Sequence, residues 1–164
     1  MARLLTGTLI FILLVPRALA ADSITAEQIQ QVINATDAAA RNRNAAGIGV
    51  YLSNDFEKII EFPYEKWMAK VRLDKDKYLE LIDGGWETTE EYDYQRDDTV
   101  IHIMPDGLSG QSYSTVIENI TQDGDKMISK FREHAVYALE NGRPVITQIS
   151  GHTLLGDTTP VPGE

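Results

Sequence analysis

Three Asp-Gly or Asn-Gly dipeptides divide the second half of the chain at nearly even intervals. They are Asp106-Gly107, Asp123-Gly124 and Asn141-Gly142. Each is typical of a two-residue type I′ turn, because both central residues of that turn need a positive φ. The stretch from Gln95 to Leu154 is therefore predicted to form four long strands of an antiparallel meander. The residues upstream must cover one face of that sheet.

The upstream residues show helical and extended patterns in turn. Thr25 and Gln28 fit a capping box that opens a first helix, which should run to about residue 44. The polar run from Glu87 to Asp93 is interpreted as the exposed start of the first meander strand. The other predicted elements are a short helix over 46–52, a strand pair over 56–62 and 67–73, and a helix that Asp74 caps and Gly84-Gly85 ends.

The N-terminus matches a secretory signal peptide. Arg3 precedes an apolar run over 9–15, and Ala18-Leu19-Ala20 is a small-x-small cleavage signal. An uncleaved anchor is the alternative, although the apolar run is too short to span a bilayer. We therefore predict a periplasmic or secreted bacterial protein, cleaved near Ala20 or Ala21.

The domain organisation follows from that cleavage and from the composition of the C-terminus. We predict a signal peptide over 1–21, one domain over 22–155 and a disordered tail over 156–164, where Pro160, Pro162 and Gly163 cluster.

The composition is acidic and lacks cysteine. The sequence has 15 Lys and Arg against 25 Asp and Glu, and loss of Arg3 and Arg17 with the signal would leave 13 against 25, a balance of −12. Such a charge repels phosphate backbones and anionic lipid surfaces, so neither nucleic acid nor stable membrane insertion is expected. Without cysteine, packing alone must hold an exported fold together.

Three segments carry a resemblance to a known superfamily. Asn34–Ala40 followed by Tyr51–Phe56 looks like its first helix and the step into an Asp-Phe pair, Tyr78–Trp86 resembles its third helix and exit, and Phe131–Arg143 resembles its long strand and turn. On these grounds the chain resembles the NTF2-like, or SnoaL-like, proteins along nearly all of its predicted mature length. Pro144 departs from the pattern, because the superfamily usually has Trp there.

The resemblance implies an α+β fold, an NTF2-like cone with three N-terminal helices packed on a curved antiparallel sheet. In such a cone the sheet wraps a cavity that the helices close, and two copies commonly pair through the outer face of the sheet. Members include ketosteroid isomerases, polyketide cyclases, dehydratases and transport factors, so the fold alone does not decide the function.

The turns also predict which meander residues face the interior. A two-residue loop at Asp123-Gly124 places Glu118 opposite Ser129, and one at Asn141-Gly142 places Glu133 opposite Ser150. Lys130, Arg132 and His134 then fall on the outer face, and so does His102. The interior face is predicted to hold Ser114, Val116, Glu118, Ile120, Met127, Ser129, Phe131, Glu133, Tyr137, Leu139, Ile146, Gln148, Ser150, His152 and Leu154.

Glu133 and His152 form the candidate catalytic pair. A carboxylate among apolar side chains has a raised pKa, which suits proton transfer near neutral pH, and His152 would lie diagonally across the hairpin. The alternative for Glu133 is a structural role, with hydrogen bonds from Ser114 and Ser150, and His152 can equally be an ordinary strand-end residue.

The candidate ligand-binding residues are Glu118, Phe131, Tyr137 and Trp86. Glu118 could instead lie at an exposed strand end, and core packing is the alternative role for Tyr137 and Trp86. No cofactor and no metal are expected, because the sequence has no Gly-rich phosphate loop, no nucleophile elbow, no cysteine and no ligand spacing among its three histidines.

These observations predict an exported protein with an apolar pocket for a small hydrophobic or mixed-polarity ligand, paired as a homodimer. The alternative is a cofactor-independent isomerase, cyclase or dehydratase in which Glu133 and His152 transfer a proton. A carrier or pilot protein for export is a third class, with no motif to support it.

Overall fold

A computed structural model describes the backbone of residues 23–64 and 67–154, and the side chains of these residues except 63, 64 and 67. The predicted signal peptide and the predicted tail lie outside the described residues. Within the described ranges, no helix is both long enough and apolar enough to cross a bilayer.

The described residues form three helices, two before the sheet and one inserted between its first and second pairs of strands. The helices are α1 (Ala26–Arg41), α2 (Ala45–Gly49) and α3 (Lys75–Glu87).

Two of the three helix starts carry the capping residues that the sequence predicted. Thr25 and Gln28 form both hydrogen bonds of the capping box at α1, and Asp74 caps α3 through Lys77 N. The prediction that Gly84-Gly85 ends α3 is wrong, because the helix continues to Glu87. Packing of Trp86 against the sheet outweighs the low helix propensity of the two glycines.

Six strands form one curved sheet in the order β2-β1-β6-β5-β4-β3. The sheet is mixed, which corrects the expectation of a wholly antiparallel one, because β1 runs parallel to β6. The strands are β1 (Leu52–Tyr64), β2 (Trp67–Asp74), β3 (Glu91–Ile103), β4 (Ser109–Gln122), β5 (Asp125–Glu140) and β6 (Arg143–Thr153).

Two of the three predicted turns are confirmed. Positive φ occurs at both residues of Asp123-Gly124 (53° and 81°) and of Asn141-Gly142 (52° and 73°), as a type I′ turn requires. The third turn is a five-residue loop over 104–108, in which only Gly107 has a positive φ, of 67°. There the Asp106 carboxylate accepts hydrogen bonds from the N–H groups of Leu108 and Ser109, which favours the longer loop.

The β4–β5 hairpin has the predicted register. Val116 pairs with Phe131 and Glu118 with Ser129, so the inner face of these two strands is the predicted one. Arg132 and His134 lie on the opposite face, where they contact Thr115 and Gln111 respectively.

A bulge in β6 overturns the predicted register of the β5–β6 hairpin. Tyr137 pairs with Ile146 as predicted, but Val136, rather than Ala135, pairs with Gln148. One extra residue in a strand moves every following side chain to the other face. Gln148, Ser150 and His152 are therefore not in the interior row, whose β6 members beyond the bulge are Ile149, Gly151 and Thr153.

A second bulge, in β3, brings a side chain to the inner face, that of Arg96. The register of β3 against β4 shifts between Asp97 and Val100, and Asp98 has a φ of 53°. Before the bulge Arg96 pairs with Val116, which lies on the inner face. After it Thr99 and Ile101 follow on that face, and His102 points outward as predicted.

The hydrophobic core lies where α1 packs on the inner face of the sheet. Ile29 and Val116 are fully buried, and Tyr137 is buried with its hydroxyl 3.1 Å from that of Ser112. Side chains leave a cavity between the rest of the inner face and the helices.

Candidate functional site

The cavity has a volume of about 410 Å³ and lies between the helices and the inner face of the sheet. Its wall is largely apolar and aromatic, which is the usual composition of a small-molecule site. All three helices and five of the six strands, β2 excepted, contribute to the described wall. The apolar and aromatic part of the wall includes Tyr78, Trp86, Tyr92, Ile120, Met127 and Phe131.

Five of the six predicted site residues line this cavity together. They are Trp86, Glu118, Phe131, Glu133 and Tyr137. Trp86 reaches the cavity from α3, and its ring meets that of Tyr92 edge to face at a centroid distance of 5.8 Å.

His152 is not among the cavity residues. Its side chain is 52% exposed, and Nδ1 lies 3.8 Å from Glu61 Oε2. The predicted diagonal contact with Glu133 is wrong, because the β6 bulge pairs Glu133 with Gly151 and turns His152 to the outer face. All three histidines of the chain lie on that face, where His134 stacks on Tyr113 at 4.5 Å.

A network of buried charges closes one part of the wall. Arg96 Nε donates to Asp37 Oδ1 at 2.9 Å and to Oδ2 at 3.2 Å, and Arg96 Nη1 donates to Glu133 Oε1 at 2.8 Å. Tyr94 completes it, because its hydroxyl accepts from Arg96 Nη2 at 2.7 Å and donates to Asp37 at 3.1 Å. Such a network holds its members in fixed geometry.

Lys58 is the second buried cation of the cavity. Its side chain is 10% exposed, and Nζ lies 3.9 Å from Glu133 Oε2. The same nitrogen lies 5.6 Å from the ring centre of Tyr78 and 5.8 Å from that of Phe131. Burial lowers the pKa of Lys58, and the charges of Glu133 and Glu118 oppose that shift.

Glu133 is held as a carboxylate. Burial would raise its pKa, but the charges of Arg96 and Lys58 outweigh burial, so the pKa lies below its ordinary value. This lowered pKa favours a structural role for Glu133 over a role in proton exchange near neutral pH.

Glu118 has the opposite electrostatic environment. Its pKa is raised, because burial dominates over the hydrogen bond from Tyr92 and the charge of Lys58. Tyr92 donates to Oε1 at 2.7 Å. Burial, together with the charge of Glu118, raises the pKa of Tyr92 as well, so the tyrosine remains a neutral donor.

Several solved structures share this architecture. Hexachlorocyclohexane dehydrochlorinase LinA-type3 from Novosphingobium barchaimii matches with a TM-score of 0.67 at 11% identity, over 84% of this chain and 90% of that chain. A scytalone dehydratase-like protein from Novosphingobium aromaticivorans matches with the same TM-score and identity, over 84% and 88%. An NTF2-like protein from Cytophaga hutchinsonii matches with a TM-score of 0.63 at 14% identity, over 80% and 100%.

This chain has the NTF2-like fold. The resemblance noted in the sequence is thereby confirmed at the level of fold. No protein-family model matches the sequence, and a search of curated proteins found no match.

In this NTF2-like cone, three functional candidates escaped the sequence analysis: Asp37, Lys58 and Arg96. Two of them left a signal. Asp37 is four residues after Ile33 on the apolar side of α1, and Lys58 has the same alternation phase as Phe56 and Ile60 in β1. Arg96 left none, because only the β3 bulge brings it inside.

The chemistry available to the NTF2-like cavity follows from these positions. Asp37, Arg96 and Glu133 satisfy one another, whereas Glu118 has one hydrogen bond from a side chain and a carboxyl whose pKa lies above its ordinary value. Within the described ranges, no group of three or more side chains is arranged to hold a metal ion. Glu118 is thus the wall residue best suited to give or take a proton.

Proposed function

We propose that the protein binds a small, largely apolar molecule in the cavity of its cone. The observation that carries this proposal is the cavity itself, whose volume of about 410 Å³ falls in the range of small-ligand sites. Its walls combine aromatic surface with a few polar groups whose positions are fixed by their neighbours. That combination suits a hydrophobic or mixed-polarity ligand.

The setting of this function is also a proposal. The signal-like N-terminus supports export to the periplasm or outside of a bacterium. The outer face of the sheet supports a homodimer, since Val100 and Tyr113 are 51% and 45% exposed there.

A cavity-filling variant tests ligand binding directly. A Cβ on Gly151 would lie 3.5 Å from Phe131 Cδ2 and 3.8 Å from Lys58 Nζ, which is ordinary contact distance inside the cavity. Gly151→Leu should therefore occupy the ligand volume, and Gly151→Ala should leave most of it free. Both variants are compared with wild type by calorimetry and by thermal shift against a panel of aromatic and polycyclic compounds.

We expect compounds that raise the melting temperature of wild type and of Gly151→Ala but not of Gly151→Leu. Far-ultraviolet circular dichroism checks that all three proteins are folded. A compound that stabilises Gly151→Leu as well as wild type binds elsewhere, and a panel made up only of such compounds would contradict the proposal.

A second candidate function is cofactor-independent proton transfer, as in an isomerase or dehydratase. The observation that favours it is Glu118, whose carboxyl faces the apolar cavity with a raised pKa and a hydrogen bond from Tyr92. This assignment replaces the pair of Glu133 and His152, because the structure separates those two side chains. The dehydratase-like and dehydrochlorinase structures of the same fold support the reaction class by analogy alone.

Exchange of carbon-bound protons tests this candidate without knowledge of the product. β-Tetralone in D₂O is followed by NMR, and wild type should accelerate the exchange of protons next to its carbonyl. Glu118→Gln should lower that rate by about 100-fold, the lower range for loss of a general base. Glu80→Gln, an exposed change on α3, serves as the matched control. Equal rates in wild type and Glu118→Gln would remove Glu118 from any such reaction.

A further inference from the structure

Lys58 presents an ammonium group to the cavity. Its Nζ lies over the rings of Tyr78 and Phe131, at 5.6 Å and 5.8 Å from their centres, and all three residues belong to the cavity wall. Gly151 leaves space beside this nitrogen, because a Cβ at that position would lie 3.8 Å from Lys58 Nζ and glycine has none.

The hydrogen-bonding capacity of this group is unused within the described part of the chain. No hydrogen bond from Nζ is formed there, and the distance of 3.9 Å to Glu133 Oε2 exceeds the 2.7–3.2 Å range of ordinary N–H···O bonds. The other oxygen of Glu133 already accepts from Arg96 at 2.8 Å. A ligand that fills the cavity would displace water from the three N–H groups of this ammonium, so a bound molecule that offered an acceptor here would be favoured.

The charges around Lys58 indicate what kind of acceptor fits. Two buried cations, Lys58 and Arg96, face two buried anions, Asp37 and Glu133. The Glu118 carboxyl is a third acid whose charge acts on Lys58, so the positive charge of Lys58 is already balanced. A negatively charged ligand would add an unbalanced buried charge, which is unfavourable. A neutral oxygen supplies the missing hydrogen bond without that penalty.

We propose that Lys58 is the polar anchor of the cavity and donates a hydrogen bond to the carbonyl oxygen of an uncharged, ring-containing ligand. The ring system lies against Tyr78 and Phe131, whose faces flank the ammonium. This inference rests on the proposed small-molecule binding and specifies the ligand class as neutral aromatic or polycyclic ketones.

Three compounds with one carbon skeleton separate the contributions of shape, acceptor and charge. Fluorene has the rings alone, fluorenone adds a carbonyl, and fluorenecarboxylate adds a negative charge. Wild type should bind fluorenone about tenfold more tightly than fluorene, as one hydrogen bond to a charged group predicts. It should bind fluorenecarboxylate more weakly than fluorenone.

Lys58→Met removes the ammonium and keeps an unbranched apolar chain between the two rings. It should bind fluorene as tightly as wild type does and lose the preference for fluorenone. Lys130→Met makes the same chemical change on the outer face of β5 and should leave the preference intact. The infrared carbonyl band of bound fluorenone should lie at lower wavenumber in wild type than in Lys58→Met.

Each possible result supports or contradicts a separate part of the proposal. Equal binding of fluorene and fluorenone to wild type would overturn the anchor while leaving the ligand-binding function in place. Preference for fluorenone that persists in Lys58→Met would also overturn it, and tighter binding of fluorenecarboxylate would overturn the assignment to neutral ligands. If no member of the series bound, both the anchor and the proposed function would fail for polycyclic molecules. Should Lys58→Met not fold, the comparison of the three compounds on wild type still decides.

Discussion

Glu118 and Glu133 lie on the inner face of neighbouring strands and line the same cavity, yet their pKa values move in opposite directions. Burial acts on both carboxyl groups. Glu133 meets two cations, Arg96 at 2.8 Å and Lys58 at 3.9 Å, whereas Glu118 meets the neutral hydroxyl of Tyr92 at 2.7 Å. The comparison shows that burial raises the pKa of both acids, and that the charge of close partners decides whether the net shift is upward or downward.

The two environments support separate proposed roles for the two glutamates. A pair of acids whose pKa values are pushed apart is the usual arrangement for dividing proton transfer from charge stabilisation. Glu133 belongs with Asp37 and Arg96 as a fixed part of the wall, and Glu118 is the carboxyl proposed for proton transfer. The same comparison can be tested by altering the partners one at a time.

Removal of Arg96 should abolish the difference between the two glutamates, and it has the largest expected effect. Arg96→Met leaves Asp37 and Glu133 buried without their shared cation, so we expect a loss of about 3–5 kcal/mol in the free energy of unfolding. The pKa of Glu133 should then rise above its ordinary value and resemble that of Glu118. Urea denaturation at neutral pH measures the loss.

Arg132→Met is the matched control for that experiment. Arg132 lies on the outer face of β5 and donates to Thr115 at 2.8 Å, so its loss should lower stability by about 1 kcal/mol at most. If the two variants lost the same stability, the network of Asp37, Arg96 and Glu133 would not be the dominant electrostatic feature of the wall.

The pH dependence of stability should distinguish the two glutamates by its sign. Both side chains have an ordinary pKa of 4.5. The lowered pKa of Glu133 means that its ionised form stabilises the fold above that value, and that this contribution is lost as the pH falls through the folded-state pKa. The raised pKa of Glu118 means that stability is lost as the pH rises from 4.5 through its folded-state pKa.

Denaturation curves of Glu133→Gln and Glu118→Gln across the acid-to-neutral range measure this difference. The deficit of Glu133→Gln relative to wild type should grow as the pH rises. Glu118→Gln should gain on wild type over the same interval, because the amide has no charge to bury. Two variants that changed in the same direction would show that Tyr92 and Arg96 do not set the two pKa values apart.

The hairpin turns made the inner positions of both glutamates predictable, and the bulges hid other parts of the site. Glu118 and Glu133 could be placed inside because the Asp123-Gly124 turn has two residues and the strands it joins pair without interruption. In β6 a single extra residue carried His152 outward, and in β3 another carried Arg96 inward. Neither bulge has a sequence signal comparable to an Asp-Gly turn, so the charge network could not be assembled from pattern alone.

The parallel pairing of β1 with β6 was equally out of reach of the sequence. The predicted order of helices and strands was right, and alternation in β1 groups Lys58 with Phe56 and Ile60. Which strand β1 would join depends on how the whole sheet curves around α1, and no local pattern in β1 reports that. Lys58 therefore could be assigned a face but not a neighbour such as Glu133.

Removal of the Tyr92 hydroxyl should increase the difference between the two glutamates, and it has the smallest expected effect. The hydrogen bond from Tyr92 stabilises the ionised form of Glu118 and opposes the effect of burial, so Tyr92→Phe should raise the pKa of Glu118 further. The loss of stability should be about 1 kcal/mol at neutral pH, the value of one hydrogen bond, and should shrink in acid as Glu118 becomes protonated.

Tyr137→Phe also removes a buried hydrogen bond, to Ser112, without contact to Glu118, so its effect should be independent of pH in that range. A pH-independent effect of Tyr92→Phe would mean that burial alone holds the Glu118 pKa where it is, and that Tyr92 has no part in preparing this carboxyl for proton transfer.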